Sequence, residues 1–291
     1  MKAIIRYPGS KWKISRWIID HFPDDYENMV YVEPFLGSGA VFFNKRPGCV
    51  ETINDRDGDI VNLFRVIRER QGELRRAIEF TPYSREEYDL AFEPCEDSLE
   101  RARRFIVKTT QAIGAKMDGK CGWRNHKQVK IGGTACKWNG ITETIDAAAA
   151  RLKGDTTHLV QIECMDALRL IRRYNTPEAL IYCDPPYLRS TRKSGKLYRY
   201  EMTDGQHGEL LEIVTHSKAK IVISGYDNDL YQSYLKNWNR YVTEVRTTSA
   251  DVAQEVIWTN YEKPHHQITL DDFCMGGTED IADETEDRSD E

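Results

Sequence analysis

The four residues Asp184-Pro185-Pro186-Tyr187 leave the apolar run Leu180-Ile181-Tyr182-Cys183 and carry the most specific chemistry in the chain. Two prolines stiffen the backbone and remove donors, so carbonyls and the Asp184 carboxylate remain as acceptors aimed at one place. Such a site suits an exocyclic amine, whose two hydrogens only donate. An aromatic amine is a poor nucleophile because its lone pair is delocalised into the ring. Acceptors on its hydrogens favour a pyramidal nitrogen, localise the lone pair and aim it at a methyl sulfonium. Tyr187 adds a ring on which a base can stack once it is turned out of a duplex. The competing reading is a rigid strand-exit turn with no ligand.

Such a tetrapeptide needs partners on the same sheet edge. Tyr31-Val32-Glu33-Pro34-Phe35-Leu36-Gly37-Ser38-Gly39 runs from a strand into the helix start Ala40-Val41-Phe42-Phe43, and its glycines let the backbone approach a ligand closely. It lacks the third glycine of a dinucleotide fingerprint. About twenty residues on, Ile53-Asn54-Asp55 supplies a carboxylate where ribose hydroxyls are commonly held, although Asn54, Asp55 or Asp57 could instead cap the following helix.

Short β-branched runs at Val30–Phe35, Val50–Asn54, Leu159–Cys164, Ala179–Cys183 and Lys220–Ser224 alternate with helical patterns, which predicts a mostly parallel α/β sheet. The last two runs, Tyr241–Arg246 and Glu255–Asn260, leave no room for a crossover helix and predict a terminal antiparallel hairpin. The expected division is a Rossmann-like domain over 1–83 and 153–265, an inserted mainly helical domain over 84–152, and an acidic disordered tail over 274–291. Within the insert, the glycine-rich stretch from Gly114 to Lys127 reads as an extended loop or hairpin.

Charge is divided along the chain. The net of −6 conceals a tail, 274–291, with eight acids against Arg288. Residues 101–153 hold twelve Lys or Arg against Asp118, Glu143 and Asp146, a net of +9. A second block, Arg189 to Arg199, has five basic residues and no acid. Phosphate contacts need local patches of this kind, although solvated helix faces produce them too.

At 40% hydrophobic residues the chain is globular, and it has no run approaching the roughly 18 apolar residues of a membrane span. Met1-Lys2-Ala3-Ile4-Ile5-Arg6 lacks a signal-peptide core, so a cytoplasmic location is expected. The seven cysteines form no C-x-x-C pair, which argues against a disulfide framework and against a structural metal; a set of Cys121, Cys136 and His126 fits no standard spacing.

In order, Tyr7-Pro8-Gly9-Ser10-Lys11, the Glu33–Gly39 turn, Ile53-Asn54-Asp55, the basic insert and Asp184-Pro185-Pro186-Tyr187 resemble the Dam-type (alpha-class) DNA adenine-N6 methyltransferases over nearly all of residues 1–262. The resemblance implies a Rossmann-like catalytic domain, S-adenosylmethionine as methyl donor and a helical target-recognition insert. By position it implies Tyr7 and Lys11 as cofactor contacts, the lysine near the methionyl carboxylate. It implies Phe35, Gly37, Ser38 and Gly39 as the cofactor loop, Asp55 as the ribose acid, and Asp184, Pro185, Pro186 and Tyr187 as the catalytic motif, with Asp184 also facing the cofactor. Met165 or Asp166 would meet the cofactor's adenine, where family members commonly carry an aromatic at the Met165 position; Asp166 could equally cap the next helix.

DNA contacts are expected from Lys116, Lys120, Arg124, Asn125, Lys127 and Lys130 in the insert and from Arg189, Arg192, Lys193 and Lys196 after the tetrapeptide. The tyrosine- and asparagine-rich stretch usual in the family is replaced by Ala112-Ile113-Gly114-Ala115-Lys116, so a GATC target is not implied. The expected partner is duplex DNA, with a cognate restriction endonuclease as an option and the chain as a monomer. Cytosine N4 or an RNA amine is the alternative acceptor. A nicotinamide dehydrogenase lacks its third glycine and a proton relay, and a non-catalytic DNA-binding module leaves the acceptors of Asp184 to Tyr187 without a task.

Overall fold

A computed structural model describes residues 1–114, 117, 119–125, 138–192, 197–246 and 252–263. Its centre is a seven-stranded sheet of β1 (Val30–Glu33), β2 (Val50–Asn54), β3 (Leu159–Glu163), β4 (Ala179–Cys183), β5 (Lys220–Gly225), β6 (Asn239–Arg246) and β7 (Val252–Thr259) in the order β3-β2-β1-β4-β5-β7-β6. The first five strands are parallel, and β7 runs antiparallel to both β5 and β6. The expected hairpin therefore forms, with its second strand wedged against β5. The β1 run ends at Glu33, two residues short of the predicted Phe35, because Pro34 has no N–H to continue the ladder.

Helices cover both faces. Tyr31, Ile53, Leu180, Tyr182 and Val222 face α3 (Gly58–Glu69), α4 (Gln71–Glu79), α6 (Ser98–Gln111) and α7 (Ile141–Lys153) in one buried cluster. The alternate residues Val32, Ile181, Cys183, Ile221 and Ile223 face α8 (Ala167–Arg173), α9 (Asp204–Thr215) and α10 (Asp229–Leu235). This period-two division is what a central strand needs to be buried on both sides. All five residues of β4 are buried.

Caps fix the helix starts. Asp57 accepts from Asp59 N at α3, Asp97 from Glu100 N at α6, and Asp166 from Arg169 N at α8. Of the three cap candidates near β2, Asp57 takes the role.

Within 84–152 the helices are α5 (Arg85–Leu90), α6 and nearly all of α7, with non-helical backbone at 91–97 and over the described part of 112–125. Phe105, Ile106, Ile141, Ile145 and Leu152 belong to the same buried cluster as α3 and α4. The buried Glu51 on β2 pairs with Arg151 of α7 and with Lys45, which ties the insert to the sheet. Ala112 and Trp123 form an antiparallel bridge, with Ile113 N donating to Gly122 O, so the described ends of the glycine-rich stretch close as a loop. The tail at 274–291 lies outside the described residues. Among the described residues no helix is long and apolar enough to cross a membrane.

Candidate active site

Strand order reverses between β1 and β4, and in open α/β sheets a ligand crevice opens beyond the carboxyl ends of such a pair. The two motifs the sequence singled out leave these neighbouring strands. A cleft of about 950 Å³, counting its open mouth, lies there.

The glycine turn forms one wall. Gly37 and Gly39 have φ of 51° and 68°, in the left-handed region, and a Cβ on Gly37 would lie 2.9 Å from the Tyr7 ring. Gly39 caps α2 (Ala40–Asn44), while Phe35, Gly37 and Ser38 line the cleft. Ser10 Oγ and Ser38 Oγ are 2.7 Å apart, joining the N-terminal loop to the turn.

Asn54 locks three strand ends together. Its Nδ2 donates to Pro34 O at 2.8 Å and Met165 O at 3.1 Å, and its Oδ1 accepts from Met165 N at 2.9 Å. Its own carbonyl accepts from Leu36 N. Asp55, next to it, accepts from Gly37 N at 2.9 Å and Asp57 N at 2.8 Å and lines the cleft. Burial pushes the Asp55 carboxyl up to about 7 even though these N–H groups favour its ionised form.

Asp184 stands opposite, at the end of β4. Its Oδ1 meets Lys11 Nζ at 2.9 Å, and Lys11 also donates to Gly9 O at 2.7 Å. The lysine is 4% exposed, so it is a built part of the site and not a surface cation. Burial opposes its charge, but Asp184 and Glu255 reverse that and hold it protonated. Burial raises Asp184, with Lys11 drawing it partly back. Lys11 lines the cleft, and its nearest anion in the protein is Asp184.

Pro186 lines the cleft and Pro185 is buried beneath it. Tyr187 is 8% exposed; its hydroxyl donates to Glu255 at 2.6 Å, its ring meets Tyr226 at 4.7 Å, and Lys11 Nζ lies 4.6 Å from its centroid.

Asp166 caps α8 and also lines the cleft. Met165 stands beside the cleft wall and not in it. Its side chain packs on the second core cluster and its sulfur lies 3.9 Å from Arg173, while the cleft wall is formed by Asp166, Ala167 and Leu168.

Glu33, Glu255 and Tyr198 were missed by sequence reasoning. Glu33 ends β1, lines the cleft, accepts from Tyr31 Oη at 2.6 Å and is pushed by burial up to about 8. Its position at a strand's carboxyl end before Pro34 is the signal that could have found it. Glu255 is an acid inside the otherwise apolar end of β7. Tyr198 lines the cleft beside Tyr7, 5.8 Å between centroids, and nothing local in the sequence marks it.

The expected DNA contacts are not brought to one point. Arg192 is a correction: it pairs with Glu201, its side chain is 6% exposed, and it braces the segment that carries Tyr198 instead of presenting a surface cation. Lys120 is half-exposed and pairs with Asp89 at 2.7 Å. Arg189 and Asn125 are exposed. Arg124 Nε and Arg6 both reach Ala112 O, at 3.3 and 3.5 Å. Lys116, Lys127, Lys130, Lys193 and Lys196, with His126 and Cys136, lie outside the described residues. No metal-ligating cluster occurs among the described residues.

Glycine turn and strand-end acids converge on a crevice at the sheet's switch point, where open α/β proteins take their ligands. The family of D12 class N6 adenine-specific DNA methyltransferases matches residues 7–249, and the chain belongs to it. It is a methyltransferase acting on adenine in DNA. It is 23% identical over 259 residues to a DNA adenine methylase of Salmonella typhimurium, covering 84% of this chain and 88% of that one. Against a DNA adenine methylase of Serratia marcescens it is 22% identical over 264 residues, covering 85% and 92%. Among solved structures, the rRNA methyltransferase aviRa from Streptomyces viridochromogenes aligns with a TM-score of 0.40 at 13% identity, over 89% of each chain.

Proposed function

We propose that this enzyme transfers a methyl group from S-adenosylmethionine to N6 of an adenine flipped out of a short duplex DNA sequence. The observation that carries the reading is the position of Asp184 at the end of β4, facing the cleft that Glu33, Asp55 and the Gly37 turn line from the adjoining strands.

The residues present fit a cationic nucleoside. Six acids line the cleft (Glu33, Asp55, Asp57, Asp166, Asp184, Glu201) against Lys11 and Arg56; Arg199 and Arg192 neutralise Asp57 and Glu201, and burial holds Glu33 and Asp55 partly protonated near neutral pH, ready to ionise beside a bound cation. Asp55 and Asp166 would hold the nucleoside end and Glu33 the charged methionyl end. When bound, S-adenosylmethionine supplies an electrophilic methyl on a sulfonium.

With one Asp184 oxygen on Lys11, the other accepts an amine hydrogen and turns the nitrogen lone pair toward the methyl. The N–C bond forms as the S–C bond breaks, and the surplus amine proton leaves to solvent. Asp184 orients and polarises the amine without taking its proton first. The rigid Pro185-Pro186 backbone keeps these acceptors from following the substrate, so the positioning cost is met on folding.

Purified enzyme with labelled S-adenosylmethionine on mixed genomic DNA should yield N6-methyladenine. Asp184→Ala should lower the rate by roughly a thousandfold or more while cofactor and DNA binding survive. Folded, cofactor-bound wild-type enzyme that gives no methyladenine would overturn the proposal, and label in cytosine would move it to cytosine N4.

A further inference from the structure

Three groups meet behind the Asp184 loop, and one comes from a strand that carries none of the sequence motifs. Glu255 lies on β7, opposite Thr243 of β6, and is 8% exposed. One of its oxygens accepts the Tyr187 hydroxyl at 2.6 Å; the other stands 3.8 Å from Lys11 Nζ, which is 2.9 Å from Asp184. The ammonium thus sits between two carboxylates, and the tyrosine ring is held at its hydroxyl by one of them and at its edge by Tyr226.

We propose, on the reading given above, that Glu255 is a positioning residue for the methyl transfer: it fixes the Tyr187 ring through its hydroxyl and shares the Lys11 ammonium, so that Asp184 keeps its strength as an acceptor. Without the Glu255 charge, Lys11 belongs to Asp184 alone, and an acceptor held by a full ammonium competes less well for an amine hydrogen. Without the bond, Tyr187 loses the fix on its far end. The trio of Lys11, Asp184 and Glu255 carries one net negative charge, which also favours the positive charge that develops on the attacking nitrogen.

A residue that only held β7 in place would act on stability; a positioning residue acts on turnover. Glu255→Gln preserves an acceptor for Tyr187 and removes the charge, whereas Tyr187→Phe preserves the ring and removes the bond. Both are compared with wild type using labelled S-adenosylmethionine and mixed genomic DNA, after thermal melting establishes that each is folded.

Glu255→Gln should lower kcat by roughly tenfold to a hundredfold. KM for S-adenosylmethionine should stay nearly constant, because Glu255 does not line the cleft. The pH profile of kcat should shift, Glu255 being faced by Lys11, Asp184, Tyr187 and Tyr226 and its carboxyl raised by burial. Tyr187→Phe should lower kcat, and the double variant should fall by less than the product of the two single effects.

Wild-type kcat in either single variant overturns the inference, as does a loss confined to KM or a strictly multiplicative double variant. Should Glu255→Gln not fold, Tyr187→Phe decides on its own. An inactive wild-type enzyme would strike the methyl-transfer reading instead.

Discussion

The cleft beyond β1, β2 and β4 and the loop that closes through Ala112 and Trp123 differ in what holds them. In the cleft, Glu33, Asp55 and Asp184 stand at the ends of neighbouring parallel strands, and main-chain hydrogen bonds fix Asp55, by Gly37 N and Asp57 N, and the glycine turn, by Asn54 O. In the loop, a single backbone bridge, with Ile113 N on Gly122 O and Arg124 N on Gln111 O, is supplemented by side chains. Trp123 Nε1 donates to Gln111 Oε1 at 3.0 Å, and the Tyr83 hydroxyl donates to Arg124 O at 2.9 Å. A sheet-borne site is rigid, while a surface loop tolerates changes of sequence without disturbing the sheet.

The largest test breaks the rigid side of that contrast. Asn54 is fully buried, and its side-chain amide bridges Pro34 and Met165, the residues just beyond β1 and β3, from the end of β2. Asn54→Ala leaves Pro34 O, Met165 O and Met165 N buried without these partners, at an expected cost of about 3 kcal/mol. Urea denaturation measures this directly, and cofactor affinity should fall with it. An unchanged midpoint would mean that the strand ends are held by the sheet without the clip.

A smaller effect comes from pH. Asp55 and Glu33 have ordinary values of 3.8 and 4.5 and are raised to about 7 and about 8 in the fold. Both bind protons more tightly folded than unfolded. Their contribution to stability is therefore full below about pH 4 and is lost as pH rises through 7 to 8. A cationic ligand favours the ionised forms, so binding at pH 6 should release protons, and affinity for S-adenosylmethionine should rise by roughly tenfold between pH 6 and 8. Calorimetry in buffers of different ionisation enthalpy reads both. A flat affinity with no proton release would mean that neither carboxylate meets the ligand's charge.

The same contrast explains what the sequence revealed. Strand runs at Val50–Asn54 and Ala179–Cys183 match the structure residue for residue: β4 is apolar and buried throughout, whereas β2 is marked by its β-branched Val50, Thr52 and Ile53 and buries Glu51 and Asn54 with partners. Asp184, Gly37 and Asp55 were legible because topology alone takes strand ends to one edge. Glu255 was not, since its partner Tyr187 is 68 residues away and only the placing of β7 between β5 and β6 brings them together. Arg192 misled for a related reason: a basic block says nothing of the acid, Glu201, that the chain folds back to meet it. Met165 sits where a ligand contact was expected, but its backbone is clipped by Asn54 and its side chain turned to the core.

The smallest expected effect bears on the loop. Arg6 and Arg124 converge on the Ala112 carbonyl, and the proximity of Arg124, added to burial, lowers the Arg6 pKa. Two guanidiniums sharing one neutral acceptor are poorly compensated, and a DNA phosphate is the anion that would relieve them. Arg124→Ala should weaken DNA binding several-fold, at roughly 1 kcal/mol, and reduce the salt dependence by about one phosphate contact, with affinity for S-adenosylmethionine unchanged. Equilibrium binding to mixed-sequence duplex at several salt concentrations separates the outcomes. A uniform loss across sequences assigns Arg124 to the backbone, whereas a loss confined to the methylated sequence assigns it to a base edge. A fall in cofactor affinity would show that loop and cleft are mechanically joined, with Arg6, next to Tyr7 in the chain, as the route between them.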